Sequence, residues 1–497
     1  MDKELYILWV VTYVIFRMIQ TSKIYPQLIV GKYRTIKNKV AYTLLALYLG
    51  ASWLRWDRGE GITNQALLLD LPGRKFYLFD LEIWPEEAYY LTGALVLAAL
   101  GLFLFTALFG RIWCGYTCPQ TVFTDLFVKV EQYFQGDRNS RMKLDAMEWN
   151  EDKIKRKVAT HITWLLISFT FAFGWVCYFY DVPRLVKDLI HFRVGTSATS
   201  WLLGLTASTY LFAGFLRQKV CTHMCPYGRF QSAMLDSDSI IVGYNDWRGE
   251  PRASKGDRLP LEASSPYQYG DCIDCGKCVA VCPMGIDIRQ GLQMECIGCG
   301  LCVDACDSVM EKIGKPLGLI SYDSINSSQQ QRLGLKPSSP FFRMKTGLFA
   351  GLFLLVASAI VYGLLVKPAF IFTIEHTRGQ LATLRYDGSI QNSYLLKLGN
   401  RSKVDQVLTI SVKGLEGLEL KKQGYQQDYA STLTLELKRG EEEAVTLFVK
   451  YLPPTSALRD KEGTNKILQN SNTMLTFVIS DSNNQLQVVK QAKFIGG

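Results

Sequence analysis

The chain has 497 residues, 48% of them hydrophobic, with a mean hydropathy of +0.07 and a formal charge of +10. That apolar content is high for a wholly soluble protein and predicts a multidomain membrane protein. Its lysines and arginines cluster beside apolar runs, as membrane orientation requires, which argues against nucleic acid as a partner.

Taken in order, the first apolar run is Leu5–Ile19, with Thr12 and Arg17 near its end. It is short against the ~20 residues a span needs, so a transmembrane helix competes with a re-entrant, interfacial or uncleaved signal-like segment. A basic stretch, Lys23 to Lys39, closes a first region, 1–39. A transmembrane bundle is expected over 40–225, with spans at Val40–Trp56, Tyr89–Phe109, His161–Tyr180 and Thr199–Leu216. A fifth span is expected at Gly347–Val366, and Leu5–Ile19 would make six. Trp53-Leu54-Arg55-Trp56 suits the headgroup region, and Lys153, Lys155, Arg156 and Lys157 precede the third strong span as a basic loop. The segments before Val40, from Arg111 to Lys157 and after Arg217 are basic, whereas 57–87 and 181–198 are poor in Lys and Arg. The basic segments are therefore assigned to the cytoplasm, and the C-terminus to the outside.

Region 226–346 carries the densest chemistry. It reads Cys272-x2-Cys275-x2-Cys278-x3-Cys282-Pro283 and then Cys296-x2-Cys299-x2-Cys302-x3-Cys306. Three thiolates two residues apart close on one iron–sulfur cube, while the fourth ligates the other cube. The spacing thus predicts two [4Fe–4S] clusters in a ferredoxin-like domain, one on Cys272, Cys275, Cys278 and Cys306, the other on Cys296, Cys299, Cys302 and Cys282. Structural zinc is the rival, but zinc sites rarely use three thiolates in tandem and then repeat the pattern. Gly276, Gly298 and Gly300 suit a backbone wrapped closely around a cluster. Asp307 stands where a proline would complete the second repeat.

Two further motifs stand where spans meet the cytoplasm: Cys114-Gly-Tyr-Thr-Cys118-Pro119 and Cys221-Thr-His-Met-Cys225-Pro226. Proline suits the first turn of a helix, which puts Cys118 and Cys225 at helix N-termini, where a thiol pKa is lowered. Two such copies predict a shared redox or metal site of four thiols; the alternative is ordinary buried thiols. His223 and Met224 could add ligands, although packing is the simpler role for each. His161, His191 and His376 read as structural, and Cys177 as a small buried hydrophobe.

From 369 to 497 the pattern changes to period-2 runs at Ile390–Leu398, Val407–Val412, Thr432–Leu437, Ala444–Val449 and Met474–Ile479. These predict an antiparallel β-sandwich without a disulfide, an extracytoplasmic interaction or spacer domain.

Trp53-Leu-Arg-Trp-Asp-Arg-Gly59, Arg111-Ile-Trp-Cys-Gly-Tyr-Thr-Cys-Pro-Gln-Thr121, Gly136-Asp-Arg-Asn139, Cys221-x3-Cys225-Pro-Tyr-Gly-Arg-Phe-Gln231, Asp246-Trp-Arg-Gly-Glu-Pro251 and the two-cluster block together resemble the cytochrome c oxidase accessory protein family known as CcoG, FixG or RdxA. The resemblance implies an immunoglobulin-like C-terminal domain, a bacterial inner-membrane location with cytoplasmic clusters and a periplasmic sandwich, and a role in maturing cbb3-type oxidases. It also implies reduction of Cu(II) to Cu(I), with copper bound at Cys114, Cys118, Cys221 and Cys225. The implied partners are the lipid membrane, copper-handling and oxidase assembly proteins, a cytoplasmic electron donor and a second copy in a homodimer. The residues themselves leave two other readings open, a quinol-linked electron-transfer polyferredoxin and a non-catalytic assembly scaffold.

Overall fold

The computed structural model describes residues 23–59, 63–252, 269–336, 343–366, 370–377, 382–402, 404–424, 429–452, 473–481 and 487–495, so the apolar run Leu5–Ile19 lies outside the described residues. The chain divides into two compact units, Met1–Ile360 and Val361–Gly497.

In the first unit α1 spans Lys32–Ala51, and a three-stranded antiparallel sheet of β1 (Leu67–Asp70), β2 (Lys75–Leu78) and β3 (Leu81–Ile83) follows. Then come α2 (Ala88–Phe109), the single turn α3 (Ile112–Tyr116), α4 (Pro119–Gln135), α5 (Arg138–Ala146), α6 (Glu151–Val176), α7 (Val182–Ile190) and α8 (Thr196–Leu211). Helix α8 continues as a π-turn, Phe212–Leu216, and a second π-turn, Val220–Met224, leads into α9 (Pro226–Met234). The cluster region holds β4 (Ile241–Tyr244), α10 (Lys277–Ala280), α11 (Leu301–Lys312), β5 (Ile320–Asp323) and α12 (Ile325–Arg332), with β4 and β5 paired antiparallel. Helix α13 (Met344–Leu365) follows.

Helices occupy all five stretches read as spans, and three of them, α2, α6 and α13, are long and apolar enough to cross a membrane. Helix α6 starts ten residues before the expected His161, so the basic run 153–157 forms its first turns rather than a loop. The cause is local: Asn150 caps the helix through Lys153 N at 2.8 Å, acidic Glu151 and Asp152 stand in the first turn, and Glu151–Lys155 and Asp152–Arg156 pair at 3.2 and 2.9 Å. Helix α1 likewise begins eight residues before Val40. Two of its cations, Arg34 and Lys37, are buried rather than facing solvent, because Asp125 of α4 receives them at 2.8 and 3.7 Å.

The second unit is a β-sandwich. One sheet has the order β10–β12–β8–β6, with β7 also on β8, and the other β11–β9–β13–β14. Strand ranges are β6 Phe370–His376, β7 Ala382–Leu384, β8 Ile390–Asn400, β9 Gln406–Lys413, β10 Leu418–Lys422, β11 Thr432–Leu437, β12 Glu442–Tyr451, β13 Thr473–Asp481 and β14 Gln487–Phe494. Alternate residues face inward: Tyr394, Leu396 and Leu398 with Val445, Leu447 and Val449 from one sheet meet Leu408, Ile410, Phe477 and Ile479 from the other. The five period-2 runs became β8, β9, β11, β12 and β13. Strands β6, β7, β10 and β14 were not read: β7 and β10 are only 3 and 5 residues long, β6 loses its alternation at Thr373–Glu375, and β14 is mostly exposed along its length.

Candidate iron–sulfur and thiol site

Around the two cysteine repeats the backbone is bent by glycines. Gly276 and Gly300 sit in the left-handed region at φ 66° and 70° and open α10 and α11, and Gly298 lies at φ 63°. Each repeat therefore makes a tight loop and then a helix carrying its third cysteine. After Cys282, Pro283 follows the end of α10. Asp307 lets α11 run on to Lys312, so Cys302 and Cys306 stand one turn apart on the same helix. Asp307 has its own task, accepting Gly318 N at 2.9 Å.

The thiols fall into two groups. Cys306 interacts with Cys278, Cys272 and Cys275. Cys282, Cys296, Cys299 and Cys302 line one small cavity, together with Ile286, Ile288 and Leu301, and Cys278 reaches the same cavity. Cys302 also feels Cys278, so the groups adjoin. Burial pushes the Cys282 and Cys306 thiols up to about 12 and Cys278 and Cys296 up to about 11. Backbone N–H groups of Met284 and Ile286 oppose this at Cys282, and that of Gly298 at Cys296. Soft donors, N–H groups aimed at sulfur and an apolar wall fit an iron–sulfur cluster. Among the described residues no three His, Cys, Asp or Glu side chains close around a single ion.

The paired cysteines form a third group. Cys118 and Cys225 are extended residues capping α4 and α9, with Pro119 and Pro226 in the first helical turns. Cys114 feels Cys118, Cys221 and Cys225, so the four thiols are neighbours, but among the described residues no three of them close around a single ion. At the other two thiols burial dominates: it pushes Cys114 up to about 12 and Cys221 up to about 11, although Arg111 opposes the shift. Cys114 donates its thiol hydrogen to Gln231 Oε1 at 3.0 Å. His223 and Met224 point away from a packed role, since both are exposed. His161 has a partner after all, the Tyr210 hydroxyl at 3.0 Å from Nδ1, and Cys177 is fully buried as expected.

Several residues that join the paired thiols to the cluster loop, Arg111, Gly115, Tyr116 and Gln231, stand inside the resemblance motifs, but the sequence assigned them no role. A Cβ on Gly115 would lie 2.8 Å from Ile297 O and 2.9 Å from Cys299 Cα, so α3 lies directly on the second cluster loop. Arg111, buried, donates through Nη2 to Gly228 O at 3.0 Å, through Nε to Gln231 Oε1 at 3.4 Å and through Nη1 to Met294 O. The positive charge of this one guanidinium acts on Cys114, Cys221 and Cys296 alike. Tyr322 donates to Gly298 O at 2.7 Å and meets the Tyr116 hydroxyl at 3.2 Å. Asp304, between the ligands of α11, accepts the N–H groups of Tyr33 and Arg34 at 3.1 and 2.7 Å and so caps α1. Gly31 leaves the room for that carboxylate, since a Cβ there would stand 2.3 Å from its Cγ.

Comparison with known proteins now bears on this arrangement. A 4Fe-4S dicluster domain family matches residues 216–325, a 4Fe-4S binding domain family 91–136, and the Ig-like fold at the C-terminus of FixG 360–497. The nitrogen fixation protein FixG of Rhizobium meliloti is 38% identical over 89% of this chain and 88% of its own length. The chain belongs to the FixG family. RdxA of Cereibacter sphaeroides is 43% identical over 80% of this chain and 83% of its own. A crystal structure of a FixG-related protein from Vibrio parahaemolyticus covers 26% of this chain and 97% of its own at 22% identity, with a TM-score of 0.18 that carries no argument. This FixG-family chain is an iron–sulfur polyferredoxin for electron transfer with an Ig-like C-terminal domain. The two iron–sulfur matches extend over Cys114, Cys118, Cys221 and Cys225 as well as the eight cysteines of the doubled repeat.

Proposed function

We propose that the chain is a five-span protein of the bacterial inner membrane that reduces Cu(II) to Cu(I) for assembly of a cbb3-type cytochrome c oxidase. Cys272, Cys275, Cys278 and Cys306 hold one [4Fe–4S] cluster and Cys282, Cys296, Cys299 and Cys302 the other, on the cytoplasmic side. The Ig-like domain lies in the periplasm. The substrate ion is held by Cys114, Cys118, Cys221 and Cys225, and the observation that carries the reading is the contact of Gly115 with Ile297 and Cys299, which leaves no solvent layer between the paired thiols and the second cluster loop. The [4Fe–4S] clusters supply one-electron reduction when bound, and Cu(II) needs one electron to become Cu(I). Thiolates are soft ligands that favour Cu(I), so the site stabilises the product. Cys114 and Cys221 must release their protons to bind the ion, and the positive charge of Arg111 favours their thiolate forms. A cytoplasmic electron donor and copper-handling and oxidase assembly proteins are the partners this requires.

The test is the double substitution Cys118→Ser and Cys225→Ser in anaerobically purified protein. Cu(II) reduction is lost while iron stays at about eight atoms per chain. Reduction that survives the substitution would place the copper step elsewhere. Iron near twelve atoms in the unsubstituted protein, falling to about eight in the variant, would assign the paired thiols to a third cube instead.

A further inference from the structure

Away from the thiols, the ends of α4, α6 and α8 border an open cleft. Four cations line it, Lys23, Lys157, Arg217 and Lys219, against the single carboxylate of Glu131. Glu131 is already engaged by Arg217 at 2.6 Å, Arg141 at 3.0 Å and Lys23 at 3.6 Å. Asp145, behind the cleft, is likewise taken by Lys23, Lys157 and the Tyr25 hydroxyl. Lys219 is left over. It is 9% exposed, stands between the two π-turns, and among the described residues has no hydrogen-bond or acidic partner. Its ammonium faces the open cleft rather than the protein interior, so water solvates it there, and an anion entering the cleft would meet a cation that no carboxylate has neutralised.

We propose that this cleft binds a phosphate group, with Lys219 as its principal contact and Arg217 and Lys157 beside it. The phosphate comes either from the headgroup of an anionic membrane phospholipid or from a soluble phosphate ester. The rim favours the lipid: Trp149 and Phe215 are 71% and 44% exposed there, and Lys157, His161 and Trp164 place the cleft along the second to fourth turns of α6. Basic pockets at the cytoplasmic ends of helices, rimmed by aromatic residues, suit headgroups. The lipid source rests on α6 crossing the membrane, whereas the phosphate site does not.

The experiment uses delipidated full-length protein in detergent. Native mass spectrometry reads binding of phosphatidylglycerol against zwitterionic phosphatidylethanolamine, and calorimetry reads binding of inorganic phosphate. Lys219→Met should weaken phosphatidylglycerol binding about tenfold, as loss of a charge-assisted contact does, while Lys155→Met, at an exposed position on α6, leaves it unchanged. Loss confined to inorganic phosphate supports the site with a soluble ester as its ligand. Equal loss in Lys219→Met and Lys155→Met, or no loss of either ligand in Lys219→Met, overturns the proposal. If Lys219→Met fails to fold, Gln218→Glu carries the same test, since its carboxylate would compete for Lys219 while Lys219→Arg retains binding.

Discussion

Gly115→Ala is the smallest change that should separate the paired thiols from the second cluster loop. The added methyl would stand 2.8 Å from Ile297 O, 2.9 Å from Cys299 Cα and 3.0 Å from Cys299 N. Comfortable carbon contacts lie at about 3.5–4.0 Å, so one backbone must withdraw by roughly 0.5–1 Å. Rotamer changes give no relief, because all three obstructing atoms are main chain. Overpacking of this kind costs about 1–3 kcal/mol. Gly204→Ala in α8 is the matched control: nothing lies within 4 Å of its Cβ, and alanine is worth up to about 1 kcal/mol over glycine inside a helix. Thermal unfolding under anaerobic conditions should show Gly115→Ala well below the parent protein and Gly204→Ala at or above it. Single-turnover reduction of Cu(II) by prereduced protein should slow in the first variant alone, at unchanged iron content. Equal behaviour of the two variants in both measurements would refute the contact and its role.

Two other outcomes follow from the same unit. Burial alone would raise the Glu131 carboxyl, but Arg217, Lys23 and Arg141 hold it down at about 2. A depressed carboxyl stabilises the fold fully above its ordinary value of 4.5 and loses that contribution as pH falls towards 2. Glu131→Gln should therefore lower stability at pH 7 by about 3–5 kcal/mol and flatten the acid limb of a stability–pH curve, and a curve as steep as the parent's would show that Glu131 is not its source. Reporter fusions at Ser254 and Ser431 should be active on opposite sides of the membrane, with Ser254 cytoplasmic; activity of both on one side would remove α13 as a crossing.

What could be read in the sequence was whatever is fixed by near neighbours. Ligand spacing at Cys272–Cys306 is local, so the doubled repeat was legible, and so were Pro119 and Pro226 as helix starts. Strands β8, β9, β11, β12 and β13 showed because one face is buried and the other wet. The start of α6 was written in Asn150, Glu151 and Asp152, but the lysines and arginine that follow drew the reading towards a loop. Arg111, Gln231 and Asp304 were not legible, because their partners are distant in sequence: Arg111 meets Met294 across 183 positions and Asp304 meets Arg34 across 270. Nothing in a run of residues announces such a meeting. The neutral look of Gly115 and Gly31 hides the same problem, since a missing side chain matters only when another backbone or carboxylate arrives to fill its place.

The cap on α1 has a consequence in time. A chain is made from its N-terminus, so α1 emerges early with the N–H groups of Tyr33 and Arg34 lacking the acceptors they have in the finished fold. Their acceptor is Asp304, which follows about 270 residues later on the helix that carries Cys302 and Cys306. The N-terminal turn of α1 therefore gains this cap only when α11 docks on it, and hydrogen exchange at the Tyr33 and Arg34 amides would time that docking directly.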